Sequence, residues 1–192
     1  LNLQPTSAAL EKVMFLYKFI RTPKTIGSVT PSSRFLTSKM IDSIPWSDVT
    51  AVAELGAGTG VVTKAIQQAV QPGSKVLVFE RDTHLRHPLQ AQFPEFSVYS
   101  DACSLYANMR KQGLESLDCI ISGLPFANFP QTTRDAIMEQ IVKSLKPGGL
   151  FVAFQYSLQM KNQLSRYFDI ESIQFVLLNV PPAFVYVCRK KQ

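Results

Sequence analysis

The stretch Glu54-Leu55-Gly56-Ala57-Gly58-Thr59-Gly60 leaves this chain few ways to fold. It follows a β-type run, Ala51 to Leu55, and opens a segment with helical spacing. Glycines at alternate positions let the backbone turn sharply and let a ligand approach it closely, and the helix N-terminus behind them favours polar or anionic groups. A strand that turns into a helix in this way belongs to a parallel sheet whose strands are joined through helices. A dinucleotide fingerprint requires G-x-G-x-x-G, whereas Gly56, Gly58 and Gly60 give G-x-G-x-G, which argues against NAD.

The rest of the chain repeats the alternation. Further strands are expected at 75 to 80, 96 to 100, 118 to 122 and 150 to 156, and helices at about 60 to 70, 82 to 92, 103 to 112 and 132 to 145. Pro72-Gly73, Pro94 and Pro147-Gly148-Gly149 punctuate them. The end of the chain departs from the pattern: two β-type runs meet through Pro181-Pro182 with no helix between, so they pair as an antiparallel hairpin. The result is a seven-stranded sheet with one reversed strand. A length of 192 residues suits one such domain, and no apolar run is long enough to cross a bilayer.

Charge is uneven. Of the net +6, residues 1 to 40 carry +5, from Lys12, Lys18, Arg21, Lys24, Arg34 and Lys39 against Glu11 alone. A basic end implies an anionic partner surface, nucleic acid or membrane. Cys103, Cys119 and Cys188 form no CxxC pair and read as reduced, buried thiols. His84 and His87, the two histidines, have no cysteine or carboxylate cluster at a metal-ligand spacing, so no metal site is expected. Residues 1 to 20 lack the order of a signal peptide.

Two acids stand where a nucleoside could be held. Glu80 ends the second strand, 20 residues beyond Gly60, where a carboxylate can accept both hydroxyls of a ribose; alone it reads equally as a solvated strand-end acid. Asp101, at the end of the third strand, can meet an adenine amino group or cap the helix that starts near Ala102. After the fourth strand comes Ser122-Gly123-Leu124-Pro125-Phe126, either a proline-stiffened turn or an amine-binding loop.

Taken together, these segments resemble the class I S-adenosylmethionine-dependent methyltransferases. Glu54 to Gly60 matches the glycine-rich motif, Glu80 with Arg81 the ribose-binding segment, Ser100-Asp101-Ala102 the adenine-contacting segment, and Leu145 to Gly149 the turn before the fifth strand. The resemblance implies an α/β, Rossmann-like sheet with helices on both faces. It also implies S-adenosyl-L-methionine as cofactor, bound through Glu54, Gly56, Ala57, Gly58, Gly60, Glu80, Arg81, Asp101 and Ala102. Amino-group methyltransferases carry Asn-Pro-Pro-Tyr or Asn-Leu-Pro-Tyr after the fourth strand, so Gly123 stands where the family has Asn. The loss of that amide weakens recognition of a nucleobase amine, whose planar edge calls for two directed acceptors. A flexible aliphatic amine asks for less: the Ser122 hydroxyl, the Gly123 and Leu124 carbonyls, and the face of Phe126 for developing positive charge.

Phe19 to Ile41, followed by the glycine motif and Ser122 to Pro130, is similar to the bacterial phospholipid N-methyltransferases, which convert phosphatidylethanolamine to phosphatidylcholine. Related rRNA adenine dimethyltransferases carry a cofactor lid at the place of Ile26 to Leu36, which makes Ser28, Pro31 and Ser32 candidate cofactor contacts; without the family, Pro31-Ser32-Ser33 is a helix start. Residues 8 to 21 have helical spacing with a broad apolar face and mostly basic charges, which suits either packing on the sheet or lying in an anionic membrane surface. The expected organisation is an N-terminal helical membrane and lid segment, 1 to 45, before a methyltransferase domain, 46 to 192, peripheral on the inner face of the cell membrane. The competing readings are an RNA adenine N-methyltransferase, favoured by the basic balance, and a catalytically silent membrane-associated interaction module.

Overall fold

The computed structural model describes residues 32 to 192. Seven strands form one mixed sheet in the order β3-β2-β1-β4-β5-β7-β6. The strands are β1 (Ala51–Leu55), β2 (Lys75–Phe79), β3 (Ser97–Tyr99), β4 (Leu117–Ser122), β5 (Leu145–Gln155), β6 (Phe168–Val176) and β7 (Ala183–Lys190). The helices are α1 (Arg34–Ile41), α2 (Val61–Ala69), α3 (Thr83–Gln92), α4 (Leu105–Lys111), α5 (Gln131–Ser144) and α6 (Lys161–Tyr167). β1 to β5 are parallel, and β7 enters between β5 and β6 antiparallel to both, the single reversal expected from the two proline-linked runs.

Period-2 side chains divide the core between the two faces of the sheet. Val52, Val76, Val78, Cys119, Ile121 and Val152 pack beneath α1, α2 and α3, with Leu36, Met40, Ile66 and Leu89 opposite them. Ala53, Leu55, Leu77, Phe79, Ile120 and Phe151 pack beneath α4, α5 and α6, with Met109, Ile137, Met138, Ile141 and Leu164 opposite.

Three features differ from the sequence-based expectation. Ahead of residue 46, α1 buries Leu36 and Met40 in the core it shares with the sheet. Its start is capped by Ser33, whose Oγ accepts from the Leu36 amide. Leu145 to Gly149 lies within β5 as a bulge: Leu117 pairs with Leu145 but Cys119 with Leu150, and Gly148 takes up the turn at φ +71°. The third is Cys103, which is exposed, unlike Cys119 and Cys188. The basic tail is used locally: Lys190 Nζ donates to the Val142 and Leu145 carbonyls at the end of α5, Arg189 pairs with Glu171, and Lys191 donates to the Ser165 carbonyl. Ser28, Pro31 and the helix expected over 8 to 21 lie outside the described residues.

Candidate active site

The glycine motif forms the turn between β1 and α2. Gly56, Gly58 and Gly60 have φ of +79°, +57° and +83°, a region that side chains disfavour. Only two are also crowded. A Cβ at Gly56 would meet Leu124 Cδ2 at 2.8 Å, and one at Gly60 would meet Leu89 Cδ2 at 2.8 Å. Among the described residues nothing lies within 4 Å of the Cβ position of Gly58, so the middle of the turn is open on that side. Ala57, the buried residue of the motif between Gly56 and Gly58, belongs to the core beneath.

Glu80 follows β2 and holds this turn from the side. Its Oε2 accepts from the Gly58 amide at 2.7 Å and its Oε1 from the Asp82 amide at 2.8 Å. A carboxylate has about four acceptor sites, so roughly half its capacity remains for a ligand. Arg81, next to it, is exposed. Asp101 sits beyond β3, exposed, and its Oδ1 accepts from the Cys103 amide at 2.9 Å. It therefore caps the short turn Ala102–Ser104, the more ordinary of the two roles open to it, and still keeps acceptor capacity.

Glu54 lies deeper. Period-2 alternation puts it on the same face as Val52, where it is 1% exposed and its Oε2 accepts from Thr63 Oγ1 on α2 at 2.6 Å. Burial pushes its carboxyl up to about 7, against the lowering effect of the Thr63 hydrogen bond and with help from the nearby Glu80 charge. In this geometry Glu54 fastens β1 to α2 beneath the glycine turn.

The loop after β4 meets the turn from the other side. Gly123 donates to the Leu55 carbonyl at 2.9 Å, and a Cβ on it would lie 3.0 Å from the Gly56 carbonyl oxygen, so the close approach of the two loops favours glycine here. Ser122 is fully buried, and its Oγ accepts from the Leu124 amide at 3.2 Å. The Leu124 carbonyl accepts twice, from Phe126 N at 2.9 Å and from Gln155 Nε2 at 2.9 Å, which uses both lone pairs. Of the two carbonyls proposed to orient an amine, that of Leu124 is therefore already filled. Pro125 leads into the short turn Phe126–Asn128.

Phe126, the expected face for developing positive charge, lies in the core rather than on the surface of the loop. It is 1% exposed and packs edge-on against Phe129 and Phe151, with ring centroids 6.2 and 6.5 Å away. Ser32 lies half-buried ahead of α1. Sequence reasoning also passed over Gln155. A buried amide closing the apolar run of β5, at the strand end nearest the loops, was the available signal. No cluster that could hold a metal ion occurs among the described residues.

No family model matches the sequence. The chain is 33% identical over 181 residues to the ornithine lipid N-methyltransferase of Singulisphaera acidiphila, which covers 92% of this chain and 94% of that protein. Among solved structures, the N-methyltransferase NodS of Bradyrhizobium japonicum WM9, in complex with S-adenosyl-L-homocysteine, matches with a TM-score of 0.67 at 12% identity, covering 94% of this chain and 99% of that one. The 1,6-didemethyltoxoflavin N1-methyltransferase of Burkholderia thailandensis matches with a TM-score of 0.63 at 13% identity, covering 100% and 94%. At such identities the structural likeness establishes the fold alone, while the 33% identity over nearly the full length establishes kinship. The chain belongs to the lipid N-methyltransferase family that includes the Singulisphaera enzyme, within the class I S-adenosylmethionine-dependent methyltransferases.

Proposed function

We propose that this protein methylates the primary amine of an aminolipid at a membrane surface, with ornithine lipid the favoured substrate and phosphatidylethanolamine the second to test. The observation that carries the reading is the near full-length likeness to an ornithine lipid N-methyltransferase. The β4 loop supports it, since Gly123 provides no side-chain acceptor of the kind a planar nucleobase amine requires. Both lipids present an amine on a flexible aliphatic arm, which one carbonyl can orient.

The open turn at Gly58 and the spare acceptor capacity of Glu80 and Asp101 fit a bound nucleoside. Glu80 receives the ribose hydroxyls, Asp101 the adenine amino group, and Gly56 to Gly60 let the rest of the molecule lie against backbone. When bound there, S-adenosylmethionine supplies an electrophilic methyl group. The protein's own contribution is positioning: the Gly123 carbonyl accepts an N–H of the incoming amine, and Gln155 and Ser122 hold the loop that carries it. His84 and His87 lie exposed on α3, and solvent receives the proton that the ammonium sheds before attack.

The test is transfer of radiolabelled methyl groups from S-adenosylmethionine to ornithine lipid, phosphatidylethanolamine and unmodified rRNA in parallel, with products separated by chromatography. Label in ornithine lipid above the other two is the expected result. Label confined to RNA overturns the lipid reading.

A further inference from the structure

The sheet carries a second feature on its active edge. Because β6 runs parallel to β5, the connection from Val176 to Ala183 emerges at the edge where the glycine turn and the β4 loop lie, beside the Gln155 to Phe184 pairing. Seven large hydrophobic residues are exposed among those described, and four of them are here: Phe175 at 55%, Leu177 at 67%, Leu178 at 61% and Val180 at 45%. A fifth, Phe35 at 42%, adjoins them from α1 across a shallow groove that it lines with Phe175, Leu177 and Leu178.

This exposure is built in. Asn179, between Leu178 and Val180, is 3% exposed; its Oδ1 accepts from the Ser33 amide at 3.0 Å, its Nδ2 donates to the Pro181 carbonyl at 2.7 Å, and it also hydrogen-bonds Tyr156. One inward amide thus pins the tip to α1 and to the end of β5 while its apolar neighbours point outward. A contiguous apolar patch on an anchored loop marks an interaction surface. Its charged margin indicates the partner. Arg34 lies 4.9 Å over the Phe35 ring and Lys39 lines the groove, and neither makes an ion pair among the described residues; Asp42 is the one carboxylate on that lining. Apolar side chains bordered by cations complement the acyl and headgroup layers of an anionic bilayer.

We infer that the β6–β7 tip, with Phe35, Arg34 and Lys39, inserts into an anionic phospholipid bilayer and brings the active edge of the sheet to the membrane. The inference rests on the lipid reading of the site, but adds a membrane contact independent of residues 8 to 21. The experiment uses the full chain carrying Leu177→Ser and Leu178→Ser, both exposed positions whose replacement leaves the core intact. Partition onto vesicles of phosphatidylcholine with phosphatidylglycerol weakens by roughly ten- to hundredfold. Methyl transfer to ornithine lipid in those vesicles falls with it, while transfer to the same lipid in detergent micelles is unchanged. In a second variant, Leu178→Trp, the added indole emission shifts to the blue on vesicle binding. Equal vesicle partition by the double variant, or an unshifted indole, overturns the inference, as does a patch whose removal changes self-association instead. A wild-type protein that partitions through the tip yet methylates no lipid in micelles leaves the anchor standing and removes the substrate assignment.

Discussion

Asp118 and Glu80 sit at opposite edges of the sheet, and each gathers backbone amides from a neighbouring connection. At the edge where β4 begins, Asp118 Oδ2 accepts from the Thr50 amide and hydroxyl and from the Ala51 amide, at 2.8, 3.0 and 3.0 Å, and its Oδ1 pairs with Lys146 of the β5 bulge. Burial alone would raise its carboxyl, but Lys146 and the Thr50 and Ala51 donors outweigh that and hold it below the usual carboxylate range. Glu80, at the edge where the parallel strands end, takes two amides and, among the described residues, no ion-pair partner. The first carboxylate is saturated and joins strands. The second holds a loop open with acceptors to spare, as its proposed contact with a ribose requires.

If that contrast is sound, substitutions at the two edges separate stability from binding. The largest effect is expected where a residue of the active edge belongs to the core: Phe126→Ala costs about 3 to 5 kcal/mol of stability, measured by chemical denaturation. The folded fraction keeps its cofactor affinity. Normal melting with lost turnover would return the ring to the substrate. Asp118→Ala costs about 2 to 3 kcal/mol of stability through its unpaired amides, with cofactor affinity unchanged by calorimetry. Its mirror is Glu80→Ala, which weakens S-adenosylmethionine binding by about 1.5 to 3 kcal/mol and stability by less. Equal stability losses at Glu80 and Asp118, with affinity intact in both, would erase the distinction.

The smallest effect sharpens the picture beneath the turn. Glu54 has its carboxyl raised from 4.5 to about 7, so between those values the folded state holds a proton that the unfolded state has released. Its contribution to stability is present below about 4.5 and is lost as pH rises through about 7. Glu54→Gln is expected to flatten stability across this window, by thermal melts from acid to neutral pH. A slope unchanged by the substitution would show that another group titrates.

The features legible in the sequence were those enforced by backbone geometry or strict alternation. β1 occupies its expected range, and the glycine turn, Glu80 at the end of β2 and the proline-linked hairpin all stand where the pattern put them. The helix α6 was not legible, because Lys161–Tyr167 buries only Leu164 and so has no apolar period. The direction of Phe126 was not either: an aromatic in a proline-flanked loop reads alike whether it faces solvent or core, and only the Phe151 ring opposite decides. The double occupancy of the Leu124 carbonyl depends on Gln155, 31 positions away, and no local pattern carries it. In the sequence Gly123 is a lost acceptor; its 3.0 Å approach to the Gly56 carbonyl adds a packing reason for the same residue.

Methyl transfer to ornithine lipid in detergent micelles, at cofactor concentrations below saturation, tests the central claim most directly when wild type, Glu80→Ala and Asp118→Ala are compared per folded molecule. The account predicts labelled lipid from wild type, about the same rate from Asp118→Ala, and a rate at least roughly tenfold lower from Glu80→Ala that recovers as cofactor is raised. Wild-type protein that labels no lipid, or a Glu80→Ala rate equal to that of Asp118→Ala, would contradict it.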